Sequence, residues 1–180
     1  LLAARKLSAA VARRNSHAKD VVHVYAYPRT VRMGLSPFCL KIEAFLRLTK
    51  TPYVMHFTLE AEISPTERLP YAELNGEAIA DSQFIIERVQ ETFKLDKDEG
   101  LSKEQRAKGH AIRRVLEASA FFCLIRNLWV DTPGHIIGGR WGPLLPVPRF
   151  VVDFIVRQGR QGVITTLNLQ GNGDLSDAQY

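Results

Sequence analysis

The stretch RLPYAELNGEAIADSQFIIE, residues 68–87, carries the strongest local signal for the fold. Two short apolar runs, 71–74 and 77–80, flank Asn75-Gly76. Asn-Gly between such runs favours a β-hairpin, because both turn residues take positive φ. Apolar residues at helical spacing then predict a helix over Ser82–Phe93. The stretch therefore predicts strand, turn, strand and helix in direct succession.

A strand–helix–strand unit precedes the hairpin. The β-branched and aromatic run VVHVYAY (21–27) predicts a buried strand, and PYVMHFTL (52–59) predicts a second one. Between them, apolar residues at positions 38, 42, 45 and 46 predict an amphipathic helix. Because a helix joins the two strands they should lie parallel, and the hairpin adds antiparallel strands to form one mixed sheet.

The second half of the chain is predicted to be helical. A charged linker, KLDKDEGLSKEQR (94–106), leads into a long helix over about 102–130, with Ser102 as its N-cap. The following Pro- and Gly-rich residues, 132–150, should interrupt the helix. Residues 151–169 are apolar without a clear period, and 171–180 resemble a turn and the start of a helix that is cut off.

The positive charge is concentrated at the start of the chain. The 180 residues carry a net charge of +5, and residues 1–20 contain five basic residues against Asp20 alone. We expect these residues to form a disordered basic tail, similar to an organelle transit peptide or to the basic flank of a membrane helix, which would suit an anionic membrane surface. Basic and aromatic residues do not interleave elsewhere, which argues against a nucleic-acid partner.

The cysteines and histidines exclude several classes of site. Only Cys39 and Cys123 are present, so a disulfide framework is excluded and a cytoplasmic protein is favoured, with a mitochondrial or membrane-associated one as the alternative. The five histidines have no ligand spacing, so no metal site is predicted. Phosphate-binding glycine loops of the Walker and dinucleotide types are also missing.

Ser36-Pro37 is the first candidate site. Serine suits an N-cap and proline the first helical position, so helix capping alone explains both residues. The free N–H groups of a helix start also stabilise a thiolate, and a serine hydroxyl there could donate a hydrogen bond to a bound thiol. Cys39, one turn later, is the alternative catalytic group, although a small buried apolar side chain is the simpler reading.

Leu69-Pro70 and Asp81-Ser82 are the other two candidate sites. Pro70 cannot donate a strand hydrogen bond and should begin a strand, which would leave the Leu69 main chain open to an extended ligand if the bond were cis. Asp81 and Ser82 suit a helix cap. They also suit a site for a carboxylate at the helix start, with Asp81 holding an ammonium group.

These motifs resemble those of the glutathione transferase superfamily, and more narrowly its failed-axon-connections and metaxin-like branch. The matching stretches are SPFCLK (36–41), residues 68–87, and RNLWVD (126–131). The resemblance implies an α+β protein. Its thioredoxin-like N-terminal domain, a mixed four-stranded sheet with helices at 21–95, would be followed by an incomplete all-α glutathione-transferase C-terminal domain at 101–180.

The resemblance also implies roles for the candidate residues. Ser36 falls on the catalytic position, with Cys39 as the alternative, whereas Leu69, Pro70, Asp81 and Ser82 fall on positions that bind glutathione. We therefore expect a glutathione transferase-like protein with glutathione as cosubstrate and a small apolar electrophile as partner. The alternative is a non-catalytic adaptor of the same fold that acts through a homodimer or another protein partner, close to a membrane.

Overall fold

The structure, a computed structural model, describes residues 2–29, 36–61, 63–131 and 147–171, with side chains from residue 8 onward. The predicted loop residues 30–35, most of the Pro- and Gly-rich stretch and the final predicted helix start lie outside the described residues. The chain divides into two units, Leu1–Lys97 and Asp98–Tyr180.

The first unit contains the predicted sheet. Its elements are α1 (Leu2–Ser16), β1 (Val22–Ala26), α2 (Pro37–Thr49), β2 (Tyr53–Phe57), β3 (Tyr71–Leu74), β4 (Glu77–Ala80) and α3 (Ser82–Phe93). The strand order is β2-β1-β3-β4. The β1–β2 pair is parallel, whereas β1–β3 and β3–β4 are antiparallel. The predicted thioredoxin-like arrangement with a mixed four-stranded sheet is confirmed.

One face of this sheet, the apolar face, forms the main core of the unit. Alternate strand residues point to this face because strand side chains have a period of two, and they are Val22, Val24, Ala26, Ala72 and Leu74. Buried residues of α2 and α3 pack against them, among them Ile42, Leu46 and Ile85. The apolar face therefore holds both helices against the sheet.

The opposite face, the polar face, carries His23, Tyr25, His56, Tyr71 and Glu73. Helix α1 lies on it, with Ala10 buried. The sequence predicted a disordered tail over residues 1–20, whereas the structure has helix α1 over most of this segment.

Ala, Leu and Arg are strong helix formers, so the composition that suggested a tail is compatible with a helix. The helix is held in place by Arg13, whose Nη2 donates a hydrogen bond to Glu73 Oε1 at 2.8 Å. A buried carboxylate needs such a partner, and this contact is invisible in the local pattern of either segment.

The second unit is helical throughout its described residues. Its first helical stretch consists of four consecutive segments. They are, in chain order, α4 (Lys103–Val115), a π-helical turn (Leu116–Ala120), α5 (Phe121–Arg126) and a second π-helical turn (Asn127–Asp131). Ser102 caps it through a capping box with Gln105, as predicted.

The apolar residues 151–169, which show no clear period in the sequence, belong to helix α6 (Arg149–Leu169). There, Arg160 Nε donates to the main-chain carbonyl of Trp129 at 3.1 Å. Among the described helices, none is long and apolar enough to cross a membrane.

Candidate functional site

Ser36 caps the N-terminus of α2, as the sequence predicted. Its backbone is extended, Pro37 is the first helical residue, and the serine Oγ accepts a hydrogen bond from the backbone N–H of Cys39 at 3.5 Å. Ser36 is 9 % exposed. A hydroxyl at this position can accept from the helix and still donate its own proton, because a serine carries one donor and two acceptor sites.

Cys39 is a buried thiol of the apolar core. Burial raises the pKa of the Cys39 thiol, and hydrogen bonds with the Tyr27 backbone and the Ser36 side chain offset this only in part. A nucleophilic cysteine needs the opposite shift, since the thiolate is the reactive form. The described structure therefore favours Ser36 over Cys39 as the group that would act on a bound thiol.

The Leu69-Pro70 peptide bond is cis, and it lies directly before β3. Within the described residues, the Leu69 main chain makes no hydrogen bond. The Leu69 side chain packs in a small cluster with Tyr25 and Tyr71, and Tyr27 contacts this cluster as well as the core around Cys39. Tyr27 thus connects the segment of Ser36 and Cys39 to the segment of Leu69.

Asp81, rather than Ser82, caps α3. The Asp81 Oδ1 accepts a hydrogen bond from the Gln83 backbone N–H at 2.7 Å, and the residue has φ 70° and ψ 129°. Positive φ in a non-glycine residue costs free energy and is concentrated at functional positions. Because Asp81 satisfies the cap, the buried Ser82 hydroxyl does not have to.

Lys41 joins α2 to the start of α3. Its Nζ donates to Ser82 Oγ at 3.4 Å and to Gln83 Oε1 at 3.0 Å. This places an ammonium group beside the first residues of α3, where unsatisfied N–H groups and the helix dipole already favour a negative charge. The arrangement suits a carboxylate.

Sequence reasoning missed Lys41 and Tyr27 as site residues. In the sequence, Lys41 falls on the polar side of the predicted amphipathic helix, and Tyr27 is the last residue of the first predicted strand. The available signal for Tyr27 was its position just beyond the carboxyl end of β1, since side chains at such ends gather at sites. Lys41 had no comparable signal, because its partner is 41 residues away in the sequence.

The arrangement brings two of the predicted segments into direct contact and links the third to them. Lys41 of α2 contacts Ser82 at the start of α3, and Tyr27 connects Cys39 to Leu69. Such a site offers a hydroxyl at a helix start, main-chain groups of Leu69 that make no hydrogen bond within the described residues, and a cation beside a second helix start. Among the described residues, no group of three or more His, Cys, Asp or Glu side chains could hold a metal ion.

Two known proteins are similar to this chain in sequence. The chain is 37 % identical over 162 residues to Failed axon connections of Drosophila melanogaster. This alignment covers 86 % of this chain and 39 % of the fly protein. It is 32 % identical over 123 residues to the isoprene-epoxide–glutathione S-transferase of Rhodococcus sp. (strain AD45), covering 63 % of this chain and 50 % of that enzyme.

The chain thus spans half or less of the length of these two relatives. No solved structure gives a significant match. The family model described as the glutathione S-transferase N-terminal domain matches residues 37–134, more than half of the chain. With its four-stranded mixed sheet and its two helices on the apolar face, the chain belongs to the glutathione S-transferase N-terminal domain family.

Proposed function

We propose that the protein binds glutathione between the starts of α2 and α3. The observation that carries this proposal is the hydrogen bond from Lys41 Nζ to Ser82 Oγ, which sets a cation and a hydroxyl at the start of α3. The γ-glutamyl end of glutathione carries a carboxylate and an ammonium group. The carboxylate would meet Ser82, Lys41 and the helix N–H groups, and Asp81 would hold the ammonium group.

The Leu69 main chain would pair with the cysteinyl part of the tripeptide. Its N–H and C=O make no hydrogen bond within the described residues, and backbone groups in largely buried positions need a partner. Two such groups on one residue match the C=O and N–H of an extended peptide. This pairing would direct the cysteinyl side chain of glutathione toward Ser36.

Ser36 would then stabilise the thiolate of bound glutathione. A hydrogen bond donated to the sulfur favours the charged form and lowers the pKa of the thiol. The sulfur would attack the carbon of an apolar electrophile, forming a carbon–sulfur bond, while the displaced group or the opened epoxide oxygen takes up the electron pair. The relative from Rhodococcus, which by its name uses an isoprene epoxide, makes a small epoxide a reasonable first test compound.

Calorimetric titration of the whole protein with glutathione tests binding. We expect wild type to bind and Ser82→Ala to bind at least about tenfold more weakly, since the carboxylate loses a direct hydrogen bond. Ser102→Ala is the matched control, because Ser102 also begins a helix but lies in the second unit. The absence of any heat or thermal shift with millimolar glutathione would overturn the proposal.

A second candidate function is that of a non-catalytic adaptor on the same fold. The low exposure of Ser36 favours this candidate, because a catalytic hydroxyl must reach its substrate. Conjugation of glutathione to a small epoxide separates the two. An adaptor would give the uncatalysed rate with wild type and with Ser36→Ala alike, whereas a transferase would lose most of its rate acceleration in Ser36→Ala.

A further inference from the structure

The polar face carries a second group of polar residues that the proposed glutathione site does not use. Its members come from four elements that pack together: Arg13 and Arg14 at the end of α1, His17 just after it, His23 and Tyr25 on β1, His56 on β2, and Tyr71 and Glu73 on β3. We call these residues the Glu73 cluster. It joins α1 to the sheet.

Glu73 is the centre of the cluster and its only acidic member. Its side chain is 0 % exposed. Oε1 accepts from Arg13 at 2.8 Å, and Oε2 lies 3.0 Å from His17 Nε2 and accepts from the Tyr25 hydroxyl at 3.1 Å. Burial alone would raise the pKa of Glu73, but the hydrogen bond and charge of Arg13, with the bonds of Tyr25 and His17, hold it below its ordinary value.

Three histidine rings are stacked beside this carboxylate. The ring centroids of His17 and His23 are 3.5 Å apart, and those of His23 and His56 are 5.2 Å apart. His23 Nδ1 and His56 Nε2 share a hydrogen bond of 2.9 Å, so at least one of these nitrogens must be unprotonated. The bond is therefore lost when both rings carry two protons.

The positive charge already present makes further protonation costly. Arg13 and Arg14 both face Glu73, so the one negative charge of the cluster already has two cations beside it. Burial, followed by the charge of His17, lowers the pKa of both His23 and His56 below the ordinary value. Each proton added to these rings is a like charge placed next to α1.

We propose that α1 is a pH-sensitive strap, which docks on the polar face when His23 and His56 are neutral and is released when they are protonated. The sign follows from linkage: the two rings bind protons more readily once α1 has left, so acid favours the released state. Docking is complete above the ordinary histidine value of about 6.5 and weakens as the pH falls below it.

Hydrogen–deuterium exchange on the whole protein tests the strap. After correction for the intrinsic pH dependence of exchange, we expect the amides of residues 8–16 to lose at least about tenfold of their protection between about pH 7.5 and pH 5.5. The amides of β1 and β3 should remain protected over the same range. Uniform loss in α1, β1 and β3, or unchanged protection of α1, would overturn the proposal.

A neutral double variant, His23→Asn with His56→Gln, identifies the groups responsible. The proposal expects α1 of this variant to stay protected at about pH 5.5. If the double variant does not fold, the single variant His56→Gln replaces it, since His56 is only partly buried. In this single variant, the loss of α1 protection between about pH 7.5 and pH 5.5 should be about half of the loss in wild type. His110→Gln, in the second unit, is the control and should behave as wild type. A variant profile identical to that of wild type would overturn the assignment.

Discussion

The two faces of the central sheet are built in opposite ways. The apolar face is closed by α2 and α3 through aliphatic side chains that are almost fully buried. The polar face is closed by α1 through a carboxylate, two guanidinium groups and three imidazole rings. Both faces belong to the same four strands, because side chains alternate along each strand. One sheet therefore carries two interfaces of different chemistry.

The difference determines how each interface responds to conditions. Burial of apolar surface depends little on pH or salt, so the apolar face should hold α2 and α3 over a wide range. The interaction of Glu73 with its partners depends on protonation, and the guanidinium groups that reach solvent are screened by salt. The proposed glutathione site lies between helices of the apolar face, where a constant geometry is an advantage.

The largest effect is expected from Leu46→Ala on the apolar face. Leu46 is fully buried between α2 and the sheet, and removing its side chain leaves a cavity that costs about 2–5 kcal/mol of unfolding free energy. Leu48→Ala, two residues later and 81 % exposed, is the control and should change the stability by less than about 0.5 kcal/mol. Urea unfolding measures both. Equal effects would mean that α2 does not pack as described.

Glu73→Gln is the corresponding change on the polar face. We expect a loss of about 1–3 kcal/mol at neutral pH, because Arg13 loses a charged partner while the amide keeps the shape of the carboxylate. The folded-state pKa of Glu73 is lowered from 4.5, so its stabilisation is present above that value and is lost as the pH falls below it.

The variant should therefore lose part of the acid sensitivity of wild type. Urea unfolding at neutral pH and near pH 4 measures the change, with Glu77→Gln as the control, since the Glu77 side chain is half exposed. An unaltered acid profile in Glu73→Gln would show that the carboxylate does not stabilise the folded unit.

The sequence was sufficient for the apolar face but not for the polar one. The hairpin at Asn75-Gly76 and the periodicity of α2 are local patterns, and they predicted the sheet, both helices and the capping role of Ser36. Period-two alternation also places Tyr71 and Glu73 on one face. It does not indicate what covers that face, and a strand glutamate is normally solvated.

The contacts of α1 explain why its role was missed. Arg13 and Glu73 are separated by 60 residues, and neither segment contains a pattern that points to the other. The composition of residues 1–20 suggested a tail that would meet an anionic membrane, whereas Arg13 and Arg14 both face Glu73. The same limit applies to Lys41, which only the folded chain places beside Ser82.

Lys41→Met tests whether the helices of the apolar face form the proposed glutathione site. Removing the ammonium group should weaken glutathione binding about tenfold, which is about 1.4 kcal/mol, with little change in stability. Lys50→Met is the control, because Lys50 ends α2 at the opposite end of the helix. Calorimetric titration measures both variants. Equal affinities for Lys41→Met and wild type would remove Lys41 from the site without excluding glutathione binding itself.

The smallest effect separates the two guanidinium groups of α1. Arg13 donates to Glu73 at 2.8 Å and to the Tyr71 hydroxyl at 3.3 Å, and it stacks on the Tyr25 ring at 4.6 Å. Arg14 reaches Glu73 at 3.5 Å. We therefore expect Arg13→Met to lower the unfolding free energy by about 1 kcal/mol more than Arg14→Met, which should cost less than about 1 kcal/mol.

Exposure alone would give the reverse order. The Arg13 side chain is 36 % exposed and that of Arg14 is 15 % exposed, so buried area alone would make the Arg14→Met substitution the more destabilising one. Hydrogen-bond geometry favours Arg13, because its bond of 2.8 Å to the carboxylate is stronger than the 3.5 Å contact of Arg14. Urea unfolding of the two variants at neutral pH decides between these arguments. A larger loss in Arg14→Met would mean that α1 is held on the polar face mainly by packing, and that the carboxylate is secondary.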